Sequence, residues 1–324
     1  MSSMSRFSKT VCVFTALAAS ANLLAADAAN WPSQPLRVIV GFPIGSAPDL
    51  QVRLIADRLA AALGQPVHIE NKPGDSGNIG AAQLARESGN HTIGIVGNGQ
   101  LTGAPFRTGS LSFDANRDFV PIALVASAPL VWITKASSTP RSADEFIAQA
   151  RAKGQEWAYG STGPGSGVQL ATEEIKLALG LKTKHLSFAN APLILGAVLS
   201  GQIQMALLPA SLVKPLVESG SLQVIAVSTA RPTPLAPALP ALEGIGLRGV
   251  NVEVWNALVA PVGMPAAYQK RLSAEVTKIL NLRETRLALL LQGWGVGSTS
   301  AAAVTERVRR DVSTYRKLLP LSPT

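Results

Sequence analysis

The sequence predicts an α/β fold with largely parallel sheets. Short β-like runs alternate with amphipathic helix-like runs along most of the chain, the pattern that places strands side by side with helices packed over them. Two of the strand-to-helix junctions are made of small residues, Gly41-Phe42-Pro43-Ile44-Gly45-Ser46-Ala47-Pro48-Asp49 and Gly160-Ser161-Thr162-Gly163-Pro164-Gly165-Ser166-Gly167. With 324 residues, 47% hydrophobic and 15% charged, the chain holds enough apolar material for a sizeable core and is long enough for two domains.

The elements follow in order. Leu36 to Val40 is the first strand, and the helix from about Ala47 puts Val52, Ile55, Ala56, Leu59 and Leu63 on one face before Gly64 ends it. Val67 to Glu70 is the second strand. Gly74 to Gly80 turns into a helix that runs to Arg86, and Thr92 to Val96 is a third strand ending at Gly97-Asn98-Gly99. Extended character persists from Ala123 to Thr134. Ser142 and Glu145 form a capping-box pattern for a helix running to Lys153. Strand-like runs then fall at Glu156 to Tyr159, Lys184 to Phe188, Gln204 to Leu208 and Gln223 to Ser228, with helices between, one of them Val168 to Leu179. Pro232, Pro234, Pro237 and Pro240 mark an irregular connection. Asn251 to Ala260 is extended again, and helices are expected at 266–280, 283–292 and along Val304, Val308, Val312, Tyr315 and Leu319.

The N-terminus reads as a cleaved secretory signal over residues 1–28. Arg6 and Lys9 precede the apolar run Val11 to Leu24, and Ala26-Asp27-Ala28 supplies small residues for a peptidase. Export to the periplasm follows as an expectation. The single cysteine, Cys12, lies in that leader, so a mature chain has no disulfide and no thiolate chemistry. His68, His91 and His185 stand apart in sequence, without metal-ligand spacing, and no metal or cofactor is expected. The formal charge of +9 falls to +8 once Arg6, Lys9 and Asp27 leave with the signal. Lys and Arg are scattered without aromatic interleaving, which argues against nucleic acid and leaves a field that draws in small anions.

That field suits the two small-residue junctions. A turn from a strand end into a helix start leaves backbone N–H groups pointing outward at the positive end of the helix dipole, where a carboxylate or phosphate can be held without Lys or Arg. Such loops also occur as simple turns and caps. The Gly163-x-Gly165-x-Gly167 spacing departs from a dinucleotide fingerprint, and neither Ser161 nor Ser166 lies in Gly-x-Ser-x-Gly. No carboxylate pair stands out as an acid–base couple.

The order and spacing of several short motifs resemble the periplasmic solute receptors of tripartite tricarboxylate transporters, the Bordetella uptake gene family. The motifs are Trp31-Pro32-Ser33-Gln34-Pro35-Leu36-Arg37-Val38-Ile39-Val40, Leu63-Gly64-Gln65-Pro66-Val67, Glu70-Asn71-Lys72-Pro73-Gly74, Gly77-Asn78-Ile79-Gly80-Ala81, Asp118-Phe119-Val120-Pro121-Ile122, Ala226-Val227-Ser228-Thr229-Ala230 and Ala260-Pro261-Val262-Gly263-Met264-Pro265. The resemblance covers nearly all of the mature chain. It implies a type-II periplasmic-binding-protein fold, two α/β lobes joined by two crossover strands near 123–134 and 251–260. One lobe would be 31–128 with 254–324, and the other 129–253. It implies that Phe42, Gly45, Ser46 and Asp49 of the first loop, Asn98, and Ser161, Thr162, Gly163, Gly165 and Ser166 of the second loop face a carboxylate ligand. Asp49, an anion, would orient water, accept a ligand N–H or O–H, or cap the helix.

The chain departs from the family pattern at several of these places. Pro43-Ile44-Gly45-Ser46 stands for Pro-Pro-Gly-Gly, Gln169 for a His, Phe188-Ala189-Asn190 for Tyr-Lys-Gly, and Gln204 and Leu208 for two Asp. Gln169 and Phe188 join the expected site, and Phe188 and Leu208 are expected to favour a ligand with an apolar body over citrate. The resemblance implies a non-enzymatic, monomeric receptor that delivers a small organic acid to integral-membrane permease subunits. A receptor feeding a sensor kinase on the same fold, and a secreted hydrolase, are the rival readings. The hydrolase needs a Ser, His and carboxylate constellation that the sequence does not assemble.

Overall fold

The computed structural model describes residues 31–103, 111–137 and 140–318; the signal-peptide reading and Leu319 lie outside them. The strands are β1 (Leu36–Val40), β2 (Val67–Asn71), β3 (Thr92–Gly97), β4 (Phe119–Lys135), β5 (Ala158–Ser161), β6 (Lys184–Ser187), β7 (Met205–Pro209), β8 (Leu222–Val227) and β9 (Glu253–Pro261). The helices used below are α1 (Ala47–Leu63), α2 (Asn78–Ala85), α3 (Ala143–Lys153), α4 (Gly167–Leu179), α5 (Ala191–Ser200), α6 (Ala210–Glu218), α7 (Ala266–Leu280), α8 (Arg283–Leu291) and α9 (Ala301–Leu318).

The expected helices form for the expected reasons. In α1 the residues Val52, Ile55, Ala56, Leu59 and Leu63 are buried, and Gly64 takes the left-handed conformation at φ 72° that releases the chain. Ser142 accepts the Glu145 N–H at 3.1 Å to start α3, and Glu145 accepts the Arg141 N–H at 2.8 Å. One strand is displaced. The run expected at Glu156 to Tyr159 forms at Ala158–Ser161, because Glu156 belongs to a short 3₁₀ turn and Gly160 and Ser161 pair with Leu186 and Ser187.

The sheet is mixed, which corrects the expectation of largely parallel pairing. Strands run in the order β2-β1-β3-β9-β4-β7-β5-β6, with β8 also paired to β4. β1 is parallel to β2 and β3, and β5 to β6 and β7, but β9 and β4 are antiparallel to each other and to their other neighbours. The long strands β4 and β9 run in opposite senses through the middle of the sheet, which forces that outcome. β4 pairs with β9 as far as Pro129 and with β7 and β8 from Leu130 onward.

Each half of the sheet has its own core. Val38, Ile55, Leu59, Ile95, Leu258 and Leu280 belong to the half built on β1, and Trp132, Phe146, Tyr159, Ile175 and Leu207 to the half built on β5. Helix α9 carries Val304 into the first half and sets Tyr315 on Leu170 of α4 in the second. The parallel strands β1 and β5 both end at small-residue turns into helices, the position where open α/β sheets bind ligands.

Candidate ligand-binding site

The first loop is held by a fully buried carboxylate. Asp49 accepts the Gly45 N–H at 2.8 Å, Arg53 Nε at 2.9 Å and Nη2 at 3.0 Å, and Asn71 Nδ2 at 2.9 Å. Burial alone would raise its pKa, but the bonds from Arg53, Gly45 and Asn71 together hold it below the ordinary carboxylate value. Asn71 Nδ2 also reaches the Phe42 carbonyl at 3.0 Å, and Gly45 sits at φ +80°, so the carboxylate ties down the turn from both sides. Of the roles open to Asp49 from the sequence, this geometry gives it the local one. The Phe42 ring lies over Gly77, and a Cβ on Gly80 would fall 2.5 Å from the Gly41 Cα, so the loop is seated on the backbone of the following turn.

That turn reaches across to the second loop. Asp75 and Ser76 adopt positive φ values of 45° and 54°, a strained conformation for residues with a Cβ. Ser76 Oγ donates to the Thr162 carbonyl at 2.5 Å. Gln100 braces the turn, donating to the Ser76 carbonyl while its Oε1 accepts the Gly97 N–H at 2.8 Å. Beside it, Asn98 packs on Gly167, and added Cβ atoms on Gly99 and Gly103 would meet the Gly165 carbonyl at 2.8 and 2.5 Å. The second loop therefore meets the Ser76 turn and the segment from Asn98 to Gly103, with glycine backbones at the seam, while the first loop is seated behind that turn.

Two polar groups of the first half are buried without a partner among the described residues. They are Ser46 Oγ and Gln51 Nε2; the latter belongs to a side chain whose Oε1 accepts from Asn256 Nδ2 at 3.0 Å. Gln51 is 0% exposed, so bulk water does not compensate it, whereas the buried Asn98 side chain shares a hydrogen bond with Tyr315. An unsatisfied buried donor costs about 1–3 kcal/mol, and such groups in native proteins point to a water or ligand.

The second loop is already internally bonded. The Gly163 N–H goes to Ser161 Oγ at 3.1 Å, the Ser166 N–H to the Gly163 carbonyl at 3.2 Å, and the Gly165 N–H to Gln169 Oε1 at 2.6 Å. Ser166 caps α4 by accepting the Gln169 N–H at 3.3 Å. His185, expected to be isolated, lies with Nε2 2.6 Å from Ser161 Oγ, and its ring packs 5.0 Å from that of Tyr159. Burial, aided by Lys176 and opposed by Glu173, keeps its pKa below the ordinary value. Glu173 engages Tyr159 OH at 2.5 Å and Lys176 at 2.7 Å. Ser161 is fully buried beneath this network.

Three expected departures take different places. Leu208 is fully buried in the core with Ile194 and Val198, so it does not line the seam, because its side chain lies on the α5 face of β7. Gln204 accepts the Ala158 N–H at 2.9 Å and sits at the opposite end of β5 from the loop. Phe188 packs back over Gly160 toward that core, leaving part of its ring exposed. Sequence reasoning did not single out Gln51, Ser76, Gln100 or Asn256 for the site. Ser76 lay in a turn whose run Gly74-Asp75-Ser76-Gly77 carried the signal of an unusual backbone. A cavity of about 270 Å³ lined by Glu174, Glu253, Arg307, Asp311 and Tyr315 lies between α9 and the second half, next to the seam, since Tyr315 shares a hydrogen bond with Asn98 and packs on Leu170.

The sequence model of the tripartite tricarboxylate transporter family receptors matches residues 51–313. The chain belongs to this receptor family. A UPF0065 protein of Bordetella bronchiseptica is 30% identical over 256 residues, 79% of this chain and 76% of that one. Protein BugT of Bordetella pertussis is 28% identical over 299 residues, 90% of this chain and 89% of its own. Among solved structures, an R. palustris protein crystallised with adipate is 27% identical with a TM-score of 0.80, covering 89% of this chain and 97% of that one. The periplasmic binding protein BugD, 22% identical with a TM-score of 0.77 over 90% of this chain and 98% of its own, shares the fold. The fold is thus that of the periplasmic binding proteins of this family. No helix among the described residues is long and apolar enough to cross a membrane. The receptor family serves solute binding and transport, with small carboxylates as its ligand class.

Proposed function

We propose that this chain is exported by cleavage of residues 1–28, works as a monomer, and captures a small carboxylate-bearing solute between two lobes for delivery to the integral-membrane permease subunits of a tripartite transporter. The lobes are 31–128 with 254–324, and 129–253. The change of β4 partners between Pro129 and Leu130 supports that division. Solute contacts from both sides stabilise the closed form, which is how a hinged receptor converts binding into a shape the permease reads.

The observation that carries this reading is the meeting of the second loop with the Ser76 turn and the segment from Asn98 to Gly103, which brings residues of the two proposed lobes together beside the buried, unpartnered Gln51 Nε2. A carboxylate oxygen accepts from such neutral donors without a counter-charge. Adipate in the R. palustris relative agrees with that chemistry. The Ser161–His185 pair does not support hydrolysis, because Ser161 is sealed and Glu173 is taken up by Tyr159 and Lys176. A thermal-shift screen of the protein from residue 29 onward, with mono-, di- and tricarboxylates, aromatic acids and amino acids, tests the reading. A carboxylate must raise the melting temperature in proportion to its logarithmic concentration. No shift with any acid, or turnover of a bound one, overturns it.

A further inference from the structure

A half-buried imidazole beneath the second loop controls a hydroxyl at the seam. His185 on β6 packs against the Tyr159 ring of β5, 5.0 Å away, and faces Glu173 and Lys176 of α4. Glu156, on the turn beside β6, is taken up by Lys153 at the surface, and Lys184 is exposed. His185 Nε2 lies 2.6 Å from Ser161 Oγ. That contact is shorter than an ordinary N–H···O bond and fits a hydroxyl donating to a neutral ring nitrogen. Burial holds the ring's pKa below its ordinary 6.5, opposed by Glu173 and aided by Lys176, so the ring is neutral at pH 7.

Ser161 Oγ has one proton and two lone pairs to divide among its neighbours. The Gly163 N–H takes one lone pair at 3.1 Å. With His185 neutral, the Ser161 proton goes to Nε2, and the second lone pair accepts the Ser166 hydroxyl at 3.4 Å. Once Nε2 gains a proton from solvent it becomes the donor and fills that second lone pair. The Ser161 proton then turns to the Gly163 carbonyl at 3.2 Å, and the Ser166 hydroxyl loses its acceptor. The same heavy atoms hold two arrangements, and one proton on His185 selects between them. Ser166 is 4% exposed and caps α4 by accepting the Gln169 N–H at 3.3 Å. Its backbone lies at the seam, where a Cβ on Gly99 would fall 3.2 Å from its Cα. A hydroxyl released there is shielded from bulk water and is a ready donor to a carboxylate.

We propose that His185 is a positioning residue for solute binding: neutral, it keeps the Ser166 hydroxyl bonded within the second loop, and protonated, it frees that hydroxyl for the solute's carboxylate. This rests on the receptor reading above. Solute binding and protonation favour each other, so the solute is held more tightly as the pH falls through the titration of the ring, and bound solute raises the ring's pKa in return. A rise in pH reverses both.

Nitrogen-15 NMR of the mature protein labelled at histidine reads the ring directly. His185 is the signal that survives both His68→Gln and His91→Gln, since the chain has three histidines. Near pH 7.5 and without solute, Nε2 should be the unprotonated nitrogen, with a titration midpoint below 6.5. A protonated Nε2 there overturns the proposal, because the Ser166 hydroxyl is then free without any titration. Calorimetric titration with adipate between about pH 5.5 and 7.5 reads the coupling. Affinity should rise about tenfold toward the lower pH, the size of one hydrogen bond to a charged group, and saturating adipate should raise the midpoint by about one pH unit. His185→Gln keeps an acceptor for Ser161 but does not titrate, so the pH dependence it retains is that of adipate itself. The wild-type excess over that profile should vanish in Ser166→Ala as well. If either variant does not fold, the wild-type midpoint with and without adipate decides the matter. A profile shared by the wild type and His185→Gln, or a midpoint that adipate does not move, overturns the role of His185 while leaving the receptor reading intact. If adipate does not bind, the acid with the largest shift in the wider screen takes its place; failure of every acid overturns the receptor reading, and the role of His185 with it.

Discussion

Replacing Asp49 by alanine tests whether this carboxylate supports the first loop or touches the solute. It removes the acceptor of four hydrogen bonds, from Gly45 N–H, Arg53 Nε and Nη2, and Asn71 Nδ2. Arg53 is 45% exposed and rehydrates, so its ion pair adds little. Gly45 is exposed and its N–H rehydrates too, while the half-buried Asn71 Nδ2 loses one of its two acceptors and keeps the Phe42 carbonyl. The expected cost is therefore about 1–3 kcal/mol, which for a protein of this size lowers the melting temperature by roughly 5 °C. Arg53→Ala, which spares the other two bonds, should cost less than Asp49→Ala. Urea denaturation with and without a bound acid reads both quantities. Stability and affinity should fall together in Asp49→Ala, because the loop loses its shape. An unchanged unfolding curve with a Kd raised tenfold would refute the argument and make Asp49 a solute contact. The pH dependence has a definite sign. The folded pKa lies below the ordinary 3.8, so the stabilisation is present above that value and disappears as the pH falls from it through the lower folded value.

Further outcomes follow from the seam and the hinge side. Ser76→Ala removes the 2.5 Å bond to the Thr162 carbonyl and should shift the closed-to-open balance by about fivefold, near 1 kcal/mol; an unchanged radius of gyration in small-angle scattering without solute would count against it. Gly80→Ala drives a Cβ to 2.5 Å from the Gly41 Cα and should abolish solute binding in the thermal-shift assay, whereas Gly89→Ala, with nothing within 4 Å, should leave the protein as stable as before. Glu174 has its pKa pushed from 4.5 to about 7 by burial and by Asp311, against the pull of Arg310. The folded state keeps that proton, so stability is fully present below pH 4.5 and is lost as the pH rises through 7, on the order of 3 kcal/mol. Glu174→Gln should accordingly raise the urea midpoint at pH 8 and leave it near the wild-type value at pH 4; equal effects at both pH values would rule out titration of this group.

What was legible in the sequence is what local chemistry decides. The buried stripe of α1, its left-handed Gly64 and the Ser142 cap follow from residue type and spacing alone. β5 was read two residues early because Gly160 and Ser161 look like loop residues, yet Gly160 is strand. It has to be small, since Ile203, Ile194 and Phe188 would each lie within 3.1 Å of a Cβ there. The antiparallel middle of the sheet was illegible, because an extended run such as β4 does not announce its partners. The two small-residue loops were visible as possible anion sites. The buried amide pair beside Gly97 was not: Gln51 and Asn256 bond to each other across 205 residues, and only the fold brings them together. Leu208 misled for the converse reason. The Asp that the family pattern has at its place suggested the site, while the alternation of β7 directs its side chain to the core.

Charge and neutrality are divided in this protein in a way that bears on how a receptor can open again. A buried ion pair is costly to desolvate and costly to break, since either partner is left unpaired. In the carboxylate–guanidinium pair of the first loop the buried Asp49 secures the frame while Arg53 stays largely in solvent. The groups beside the seam, Ser46, Asn98 and Gln100 on one side and Thr162, Gly165 and Gln169 on the other, are neutral. In the proposed reading the solute brings its charge to these neutral groups and leaves with it. Opening then strands no protein charge in a low-dielectric site, and the donors left behind need only water. The formal +9 acts at a distance, by raising the local concentration of anions, while release is governed by neutral dipoles. A chain that held its solute with Lys or Arg would gain affinity in the closed form at the expense of delivery.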